Sequence, residues 1–148
     1  MMKASLSFTG GAEGASWRAE TEGGHALVID GAPDIGGLDL GPRPLELMLL
    51  GLGGCTAMDV LSILRKKRQR VVDCRIELSA ERAEEHPRVF TKIHVHFKVF
   101  GDVQEGAIER AIELSHSKYC SAHRMLSATA EITSSFEVIP VDAPGAER

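Results

Sequence analysis

A long apolar segment, residues 45–64, constrains most strongly what this chain can fold into. Pro44, which suits the first position of a helix, precedes the segment, and five cations within residues 65–70 follow it. Those cations suit the negative end of a helix dipole, so they predict a solvated helix end. A helix that is apolar around much of its circumference is a buried, central one. The sequence therefore predicts a central helix from Pro44 to about Gln69.

Short alternating segments on both sides of this helix predict β-strands. Three of them, KASLSF, ASWRAET and HALVID, are separated by glycine-rich turns and predict a three-stranded meander. A glycine- and proline-rich loop covers residues 30–43. After the helix, two longer strands are predicted, then two helical segments that meet near SHSKYC, then a last strand, EITSSFEVI. The order βββ-α-ββ-αα-β indicates an α+β fold in one domain of residues 1–148, with a frayed tail over residues 140–148.

Charge and composition exclude several classes of function. The formal net charge of −4 argues against a nucleic-acid partner. Glycines and two acidic residues interrupt the apolar segment, which makes it a poor membrane span, and the first residues contain no apolar stretch typical of a secretory signal. Three cysteines without a CxxC pair favour a reducing cytoplasm, where a disulfide would be transient and functional. The sequence predicts no cofactor.

Two of the cysteines, Cys74 and Cys120, lie in different sequence contexts. Cys74 alternates with apolar residues on the inward face of a predicted strand, and a buried cysteine usually behaves as a small hydrophobe. Cys120 lies where a helix restarts, between Lys118 and Arg124. Backbone N–H groups at a helix start and nearby cations favour the thiolate, so this position predicts a lowered pKa for Cys120. A reactive role and simple burial both remain open for it.

The third cysteine, Cys55, lies within the predicted central helix, directly after a pair of glycines and close to Gly51. Each glycine costs helix stability by up to about 1 kcal/mol relative to alanine. Two explanations are open: another helix or backbone approaches Cys55 closely, or a small pocket admits a substrate beside the thiol. Asp59 follows on the same helix face, where its negative charge disfavours a thiolate unless a cation pairs with it.

Two histidines, His94 and His96, share the outward face of the second long strand with Lys92 and Lys98. No third ligand is spaced to join the histidines, and the lysines repel a cation. The pattern predicts an exposed polar face and no metal site.

The segment PLELMLLGLGGCTAMDVLSILRKK, followed by SKYCSAHRML, resembles the OsmC/Ohr family of thiol-dependent hydroperoxide reductases. Cys55 and Cys120 are 65 positions apart, and Pro44 precedes Cys55 by eleven residues, as in that family. The chain is most similar to the OsmC-like subgroup with the pattern GGC(S/T)A.DV. The resemblance implies a tight, intertwined homodimer in which sheets wrap two central helices and the active sites lie at the subunit interface.

The resemblance also implies roles for these two cysteines. Cys55 would attack the O–O bond of an organic hydroperoxide and become a sulfenic acid, and Cys120 would condense with it to a disulfide. A cellular dithiol would reduce that disulfide, in defence against oxidative stress. The alternative is a redox-responsive or small-ligand-binding protein with little peroxidase turnover. A purely structural interaction protein would require inert cysteines.

In the OsmC/Ohr family, a glutamate and an arginine assist the attacking cysteine, and both of these helper side chains are replaced in this chain. Leu45 occupies the position of the helper glutamate, and Ala12 that of the helper arginine. Glu46 is the candidate carboxylate, but on a straight helix it faces the side opposite Cys55, and only a break at the glycines would return it. The candidate arginines are Arg18, which we take first, Arg43 and Arg124.

Overall fold

The computed structural model describes residues 1–141, and the order of its elements confirms the predicted α+β arrangement. The chain forms two compact units, Met1–Met48 and the part from Leu49 onward. The prediction of a single domain over residues 1–148 stays a prediction. Of the predicted tail, residues 142–148 lie outside the described residues.

The N-terminal unit is built on the predicted antiparallel meander. β1 (Ala4–Phe8) pairs with β2 (Trp17–Thr21), and β2 pairs with β3 (Ala26–Ile29). Phe8 and Trp17 are directly opposite each other, with their ring centroids 5.3 Å apart in an edge-to-face arrangement. Both rings stay exposed, as do further large apolar side chains of this unit: Leu6, Leu27, Val28, Ile35, Leu38 and Leu40.

One buried carboxylate organises the loop over residues 30–43. Asp30 accepts backbone hydrogen bonds from Gly31 at 2.8 Å, Leu38 at 2.9 Å and Leu40 at 3.2 Å. The bond from Leu38 does most to lower the pKa of Asp30, and together these bonds outweigh the opposing effect of burial. The loop is therefore folded around Asp30, with a short 3-10 turn at Pro33–Ile35.

The second unit contains a three-stranded sheet. β4 (Arg70–Arg82) pairs antiparallel with β5 (Phe90–Asp102), and β5 pairs parallel with β6 (Glu131–Ile139). The predicted alternation is confirmed, because one face of β5 is buried and pairs with the inward residues of β4. The cross-strand pairs on this face are Cys74 with Val99, Ile76 with Phe97, Leu78 with Val95 and Ala80 with Ile93.

Hydrogen bonds between side chains connect the histidines of β5 to the neighbouring strand. His94 bonds Thr133 and Ser135, and His96 bonds Ser135 and Glu137. The predicted polar face is thus a connected row of half-buried and exposed groups along β5 and β6.

The central helix α1 runs from Pro44 to Lys66 without a break at the glycines. Its buried stripe has the four-residue spacing expected for one helix face, at Leu52, Thr56, Val60 and Leu64. Gly53 lies against β4 so closely that an added Cβ would be 2.7 Å from Leu78 Cδ1. In this unit, α1 therefore packs through its buried stripe and through Gly53.

The end of α1 falls three residues before the predicted one. Arg68 adopts a left-handed conformation with φ of 56°, and the N–H of Gln69 bonds the carbonyl of Leu64 at 2.9 Å. This closes the helix in the manner of a C-terminal cap, although no glycine marks the position. By length and composition alone, α1 is long and apolar enough to cross a membrane, a test that buried core helices also pass.

The connection from β5 to β6 contains the two predicted helical segments. α2 (Glu105–Leu114) buries Ala107, Ile108, Ala111 and Ile112. It continues into a π-helical segment, Ser115–Tyr119, after which α3 spans Ser121–Leu126. The chain thus breaks and restarts at Cys120, as the sequence predicts.

Candidate active site

The helix α1 and the π-helical segment bring the reactive groups of the site together from distant parts of the sequence. α1 carries Cys55 and Asp59 one turn apart, so both side chains lie on the same helix face. The π-helical segment ends at Cys120, whose N–H bonds the Ser115 carbonyl at 2.7 Å. The sulfurs of Cys55 and Cys120 and a carboxylate oxygen of Asp59 all lie within 4.8 Å of one another.

The two thiols differ in their access to solvent. Cys55 is partly accessible, whereas Cys120 is buried, with an exposed fraction of 4%. Both are free thiols. A peroxide would therefore meet Cys55 more readily than Cys120.

The environment of Cys120 corrects the predicted lowering of its pKa. Burial, followed by the side-chain interaction with Cys55, raises the pKa of Cys120 to about 12. The predicted helix-start effect does exist, because the N–H of His123 donates to the Cys120 sulfur at 3.3 Å, but it is the weaker influence. Cys120 therefore keeps its proton at neutral pH.

A chain of buried hydroxyl groups orients Asp59. Ser115 Oγ donates to Asp59 Oδ2 at 2.9 Å. Because a serine hydroxyl has only one proton, Thr56 Oγ1 must donate to Ser115 Oγ in their 3.0 Å contact. Thr56 and Ser115 are both fully buried. This network could not be predicted, since nothing in the sequence indicates which α1 side chain Ser115 contacts.

A cavity of about 330 Å³ reaches Cys120 from the other side. Its lining combines apolar side chains, Tyr119 and Met125, with two cations, Lys118 and Arg124. Arg124 is therefore the candidate arginine that the structure places beside one of the two cysteines. The cavity has room for a small organic molecule with a polar group.

Two histidine rings are stacked next to Cys120, and one of them, His116, lines this cavity. The rings of His116 and His123 are 4.3 Å apart and nearly parallel. Burial, followed by the charge of His123, lowers the pKa of His116 to about 4, and His116 Nε2 has no hydrogen-bond partner among the described residues. Burial, followed by the charge of Arg124, also lowers the pKa of His123. Both shifts favour the neutral rings over cations that could pair with Asp59.

A larger cavity of about 980 Å³ lies between α2 and β6. It is lined by His116, His123, Ser135 and charged residues of α2, but its described lining includes neither cysteine. The smaller cavity is lined by one cysteine of the pair, Cys120, which favours it as the candidate site despite its smaller volume.

A role in assisting Cys55 stays a prediction for the candidate helper residues of the N-terminal unit. Arg18 lies on β2, where its guanidinium pairs with Glu20. Glu46 is exposed and belongs to the unbroken α1, so the helix break that would turn it toward Cys55 does not occur. Arg43 is exposed and directly precedes α1.

Cys74 lies where the sequence analysis predicted it, on the inward face of β4 opposite Val99. Burial and the charge of Asp73 raise the pKa of Cys74, which makes its thiolate scarce. Cys74 is therefore a natural control for experiments on the other two cysteines.

The site can support two kinds of chemistry. The sulfurs of Cys55 and Cys120 lie within 4.8 Å of each other, and they would have to approach to about 2.05 Å to form a disulfide. Rotation of the two side chains can supply much of this approach. Two sulfurs and a carboxylate oxygen are also donors that could hold a metal ion.

Comparison with known proteins shows that the chain belongs to the OsmC-like family and has the fold of solved OsmC-like structures. Residues 36–135 match the family model described as OsmC-like protein. Protein YhfA of Escherichia coli K12 is 46% identical over 128 residues, which cover 86% of this chain and 92% of that protein. A hypothetical protein from Aquifex aeolicus VF5 is similar in structure, with a TM-score of 0.84, 31% identity and coverage of 96% of this chain and 98% of that one.

The fold is also shared with a protein of named function. An organic hydroperoxide resistance protein from Elizabethkingia anophelis aligns with a TM-score of 0.69 over 95% of this chain and 96% of that chain. Its sequence identity of 14% makes this a likeness of fold alone.

Proposed function

Because the chain belongs to the OsmC-like family, we propose that it reduces organic hydroperoxides with Cys55 and Cys120. The observation that carries the proposal is the placement of these two sulfurs within 4.8 Å, one partly accessible and one buried. Organic hydroperoxide resistance proteins among the structural neighbours support the choice of substrate class. We place the reaction in a reducing cytoplasm, where a dithiol can regenerate the protein.

In the first step, Cys55 attacks the peroxide as a thiolate, because the thiol is a poor nucleophile. Its sulfur forms a bond to the hydroxyl-bearing oxygen of the peroxide, the O–O bond breaks, and the leaving alkoxide takes up the proton that the Cys55 thiol released on ionising, which gives an alcohol. The sulfur loses two electrons and becomes a sulfenic acid. The protonated Cys120 thiol beside it stays a thiol during this step.

In the second step, the Cys120 sulfur attacks the Cys55 sulfenic acid. A sulfur–sulfur bond forms, the sulfur–oxygen bond breaks, and hydroxide leaves as water with the proton from Cys120. Asp59, whose carboxylate lies within 4.8 Å of both sulfurs, is positioned to carry that proton. A dithiol then reduces the disulfide by exchange.

The cavity that Cys120 lines could hold the organic part of a substrate whose peroxide group reaches Cys55, because the sulfurs of Cys55 and Cys120 lie within 4.8 Å of each other. Tyr119 and Met125 offer apolar surface to an alkyl or aryl group, while Lys118 and Arg124 add positive charge. Hydrogen peroxide has no apolar part that could use this surface.

We also propose that the protein is a homodimer, in keeping with the typically dimeric OsmC/Ohr proteins. α1 leaves much of its apolar surface uncovered in one chain, with Met58 exposed to 74% and Leu50 to 60%. A Cβ added at Gly51 or Gly54 meets nothing within 4 Å in one chain, so these glycines leave room for a second copy. Obligate dimer interfaces are large and apolar in this way.

The decisive experiment mixes reduced protein with an organic hydroperoxide, such as cumene hydroperoxide, and follows thiols and peroxide together. We expect rapid, stoichiometric loss of both in the wild type. Cys55→Ser should abolish peroxide consumption, and Cys74→Ser should retain it. Inactivity of a folded Cys74→Ser protein beside an active Cys55→Ser protein would show that the roles are wrongly assigned.

A second candidate function is a redox-responsive or small-ligand-binding protein with slow peroxide turnover. Asp59 favours it, because no lysine or arginine of residues 1–141 forms an ion pair with this carboxylate beside the thiols. Leu45 and Ala12 at the helper positions point the same way. In the experiment above, thiol loss over hours rather than seconds would favour this candidate.

A further inference from the structure

We propose that Cys55, Asp59 and Cys120 form a binding site for a thiophilic divalent cation, with Zn²⁺ as the ion best suited to it. The inference goes beyond peroxide reduction, since it concerns the reduced protein alone. The site lies apart from His94 and His96, the pair at which the sequence predicts no metal.

The spacing of the three donor atoms suits zinc. Tetrahedral zinc with bonds of about 2.3 Å to sulfur and 2.0 Å to oxygen holds its ligand atoms about 3.5–3.8 Å apart. The two sulfurs and the Asp59 oxygen already lie within 4.8 Å of one another, so displacements of about 1 Å by the two cysteine side chains bring the three donors to the spacing that zinc requires. Three protein ligands leave one position for water, as in zinc sites that exchange their metal or bind substrate.

The groups around the donors are arranged as a supporting shell. Ser115 donates to Asp59 Oδ2 at 2.9 Å, and the N–H of His123 donates to the Cys120 sulfur at 3.3 Å. Hydrogen bonds of this kind orient ligands and stabilise their negative charge in metal sites. Thr56 in turn holds Ser115, and both hydroxyls are fully buried. The orientation of Asp59 is therefore fixed before any ion binds.

Charge explains why a cation belongs here. When both thiols release their protons on binding, two thiolates and one carboxylate carry three negative charges, and a divalent ion leaves a net charge of −1. No lysine or arginine of the described chain pairs with Asp59. Two sulfur donors select a soft or borderline ion such as Zn²⁺ over Mg²⁺ or Ca²⁺.

Binding is tested on reduced, chelator-treated protein without peroxide, so its outcome is independent of any peroxidase activity. Co²⁺ is titrated as a spectroscopic probe, and thiolate ligation is read from the sulfur-to-cobalt charge-transfer band. Zn²⁺ is then added in competition. We expect one Co²⁺ per chain, displaced by one Zn²⁺, and no binding after oxidation of the protein to its disulfide form.

Variants separate this site from adventitious binding to a thiol. Cys55→Ser and Cys120→Ser should each weaken binding at least about a hundredfold, and Cys74→Ser is the matched control that should bind as the wild type does. Asp59→Asn should weaken Co²⁺ binding at least about tenfold while the two-thiolate band persists, and Ser115→Ala should weaken it about tenfold by releasing the carboxylate. Circular dichroism checks that each variant folds, with Cys120→Ala as a second variant if Cys120→Ser does not.

Three results would overturn the inference: a wild type without a charge-transfer band, a band that Cys74→Ser removes and Cys55→Ser keeps, or equal affinity in Asp59→Asn. Because the readout needs no peroxide, a protein that binds Co²⁺ yet never consumes peroxide would refute the proposed function and leave the metal site standing.

Discussion

The replacement of Ser115 by alanine tests whether the buried hydroxyl chain stabilises the fold. In Ser115→Ala, the Thr56 hydroxyl loses the acceptor of its 3.0 Å hydrogen bond, and Asp59 loses a donor at 2.9 Å. An unsatisfied buried hydroxyl costs about 1–3 kcal/mol, and a hydrogen bond to a charged group contributes about 1.5–3 kcal/mol, less where water reaches the carboxylate. Asp59 is half-buried, so we expect a loss of about 2–4 kcal/mol in the free energy of unfolding.

Urea unfolding at a fixed protomer concentration measures this loss, because a dimer's stability depends on concentration. With a slope of about 2 kcal/mol per molar urea, the middle of the usual range, the midpoint should fall by about 1–2 M. Ser117→Ala, an exposed position in the same π-helical segment, is the matched control and should change stability by less than about 0.5 kcal/mol.

A double variant makes the reasoning refutable. Thr56→Val removes the donor that Ser115→Ala leaves without a partner, so the double variant should recover part of the loss, with a coupling energy of about 1–2 kcal/mol. Additive losses would show that the two hydroxyls do not depend on each other. A Ser115→Ala protein as stable as the wild type would show that the chain contributes nothing.

Three further predictions follow from other parts of the molecule. Cys120→Ser treated with mild peroxide should accumulate a Cys55 sulfenic acid that a sulfenic-specific reagent traps, whereas the wild type gives an intramolecular Cys55–Cys120 disulfide on peptide mapping; a dominant disulfide to another cysteine would contradict the mechanism. Alanine at both Gly51 and Gly54 should promote dissociation in sedimentation experiments if a second copy packs there, and a raised melting temperature with unchanged dimer affinity would refute that contact. The pKa of Asp30 is lowered in the folded state, so the carboxylate stabilises the fold fully at pH values above its ordinary pKa of 3.8, and this stabilisation is lost as the pH falls through the folded pKa. Amide hydrogen exchange in the loop after Asp30 should therefore become faster in that acidic range. In Asp30→Asn the exchange should be faster already at pH 7.

The strands and helices could be predicted because their signals are local. β6 occupies the nine residues that the alternating pattern indicated, and the inward face of β5 agrees with its period of two. The end of α1 was placed too late because Arg68 turns the chain in a left-handed conformation that glycine usually provides. The sequence pattern does not indicate that an arginine adopts this conformation.

The candidate site could be predicted only in part. The two cysteines came from a resemblance rather than from physical argument, and the expected low pKa of Cys120 was wrong because its burial depends on long-range packing. The effect of the helix start is local, and it was correctly anticipated in the hydrogen bond from His123. Contacts between residues 56 positions apart, such as Ser115 with Asp59, need the fold before they can be known.

The π-helical segment is the structural reason why the site exists. In a regular α-helix, residues 115 and 120 would point about 140° apart, because each residue turns by about 100°. The wider turn instead bonds the N–H of Cys120 to the carbonyl of Ser115 at 2.7 Å, which brings the two positions one above the other. Ser115 then reaches Asp59, and Cys120 reaches the same group of donors one turn later. A single irregular turn thus aligns the hydroxyl that orients the carboxylate with the thiol that faces Cys55.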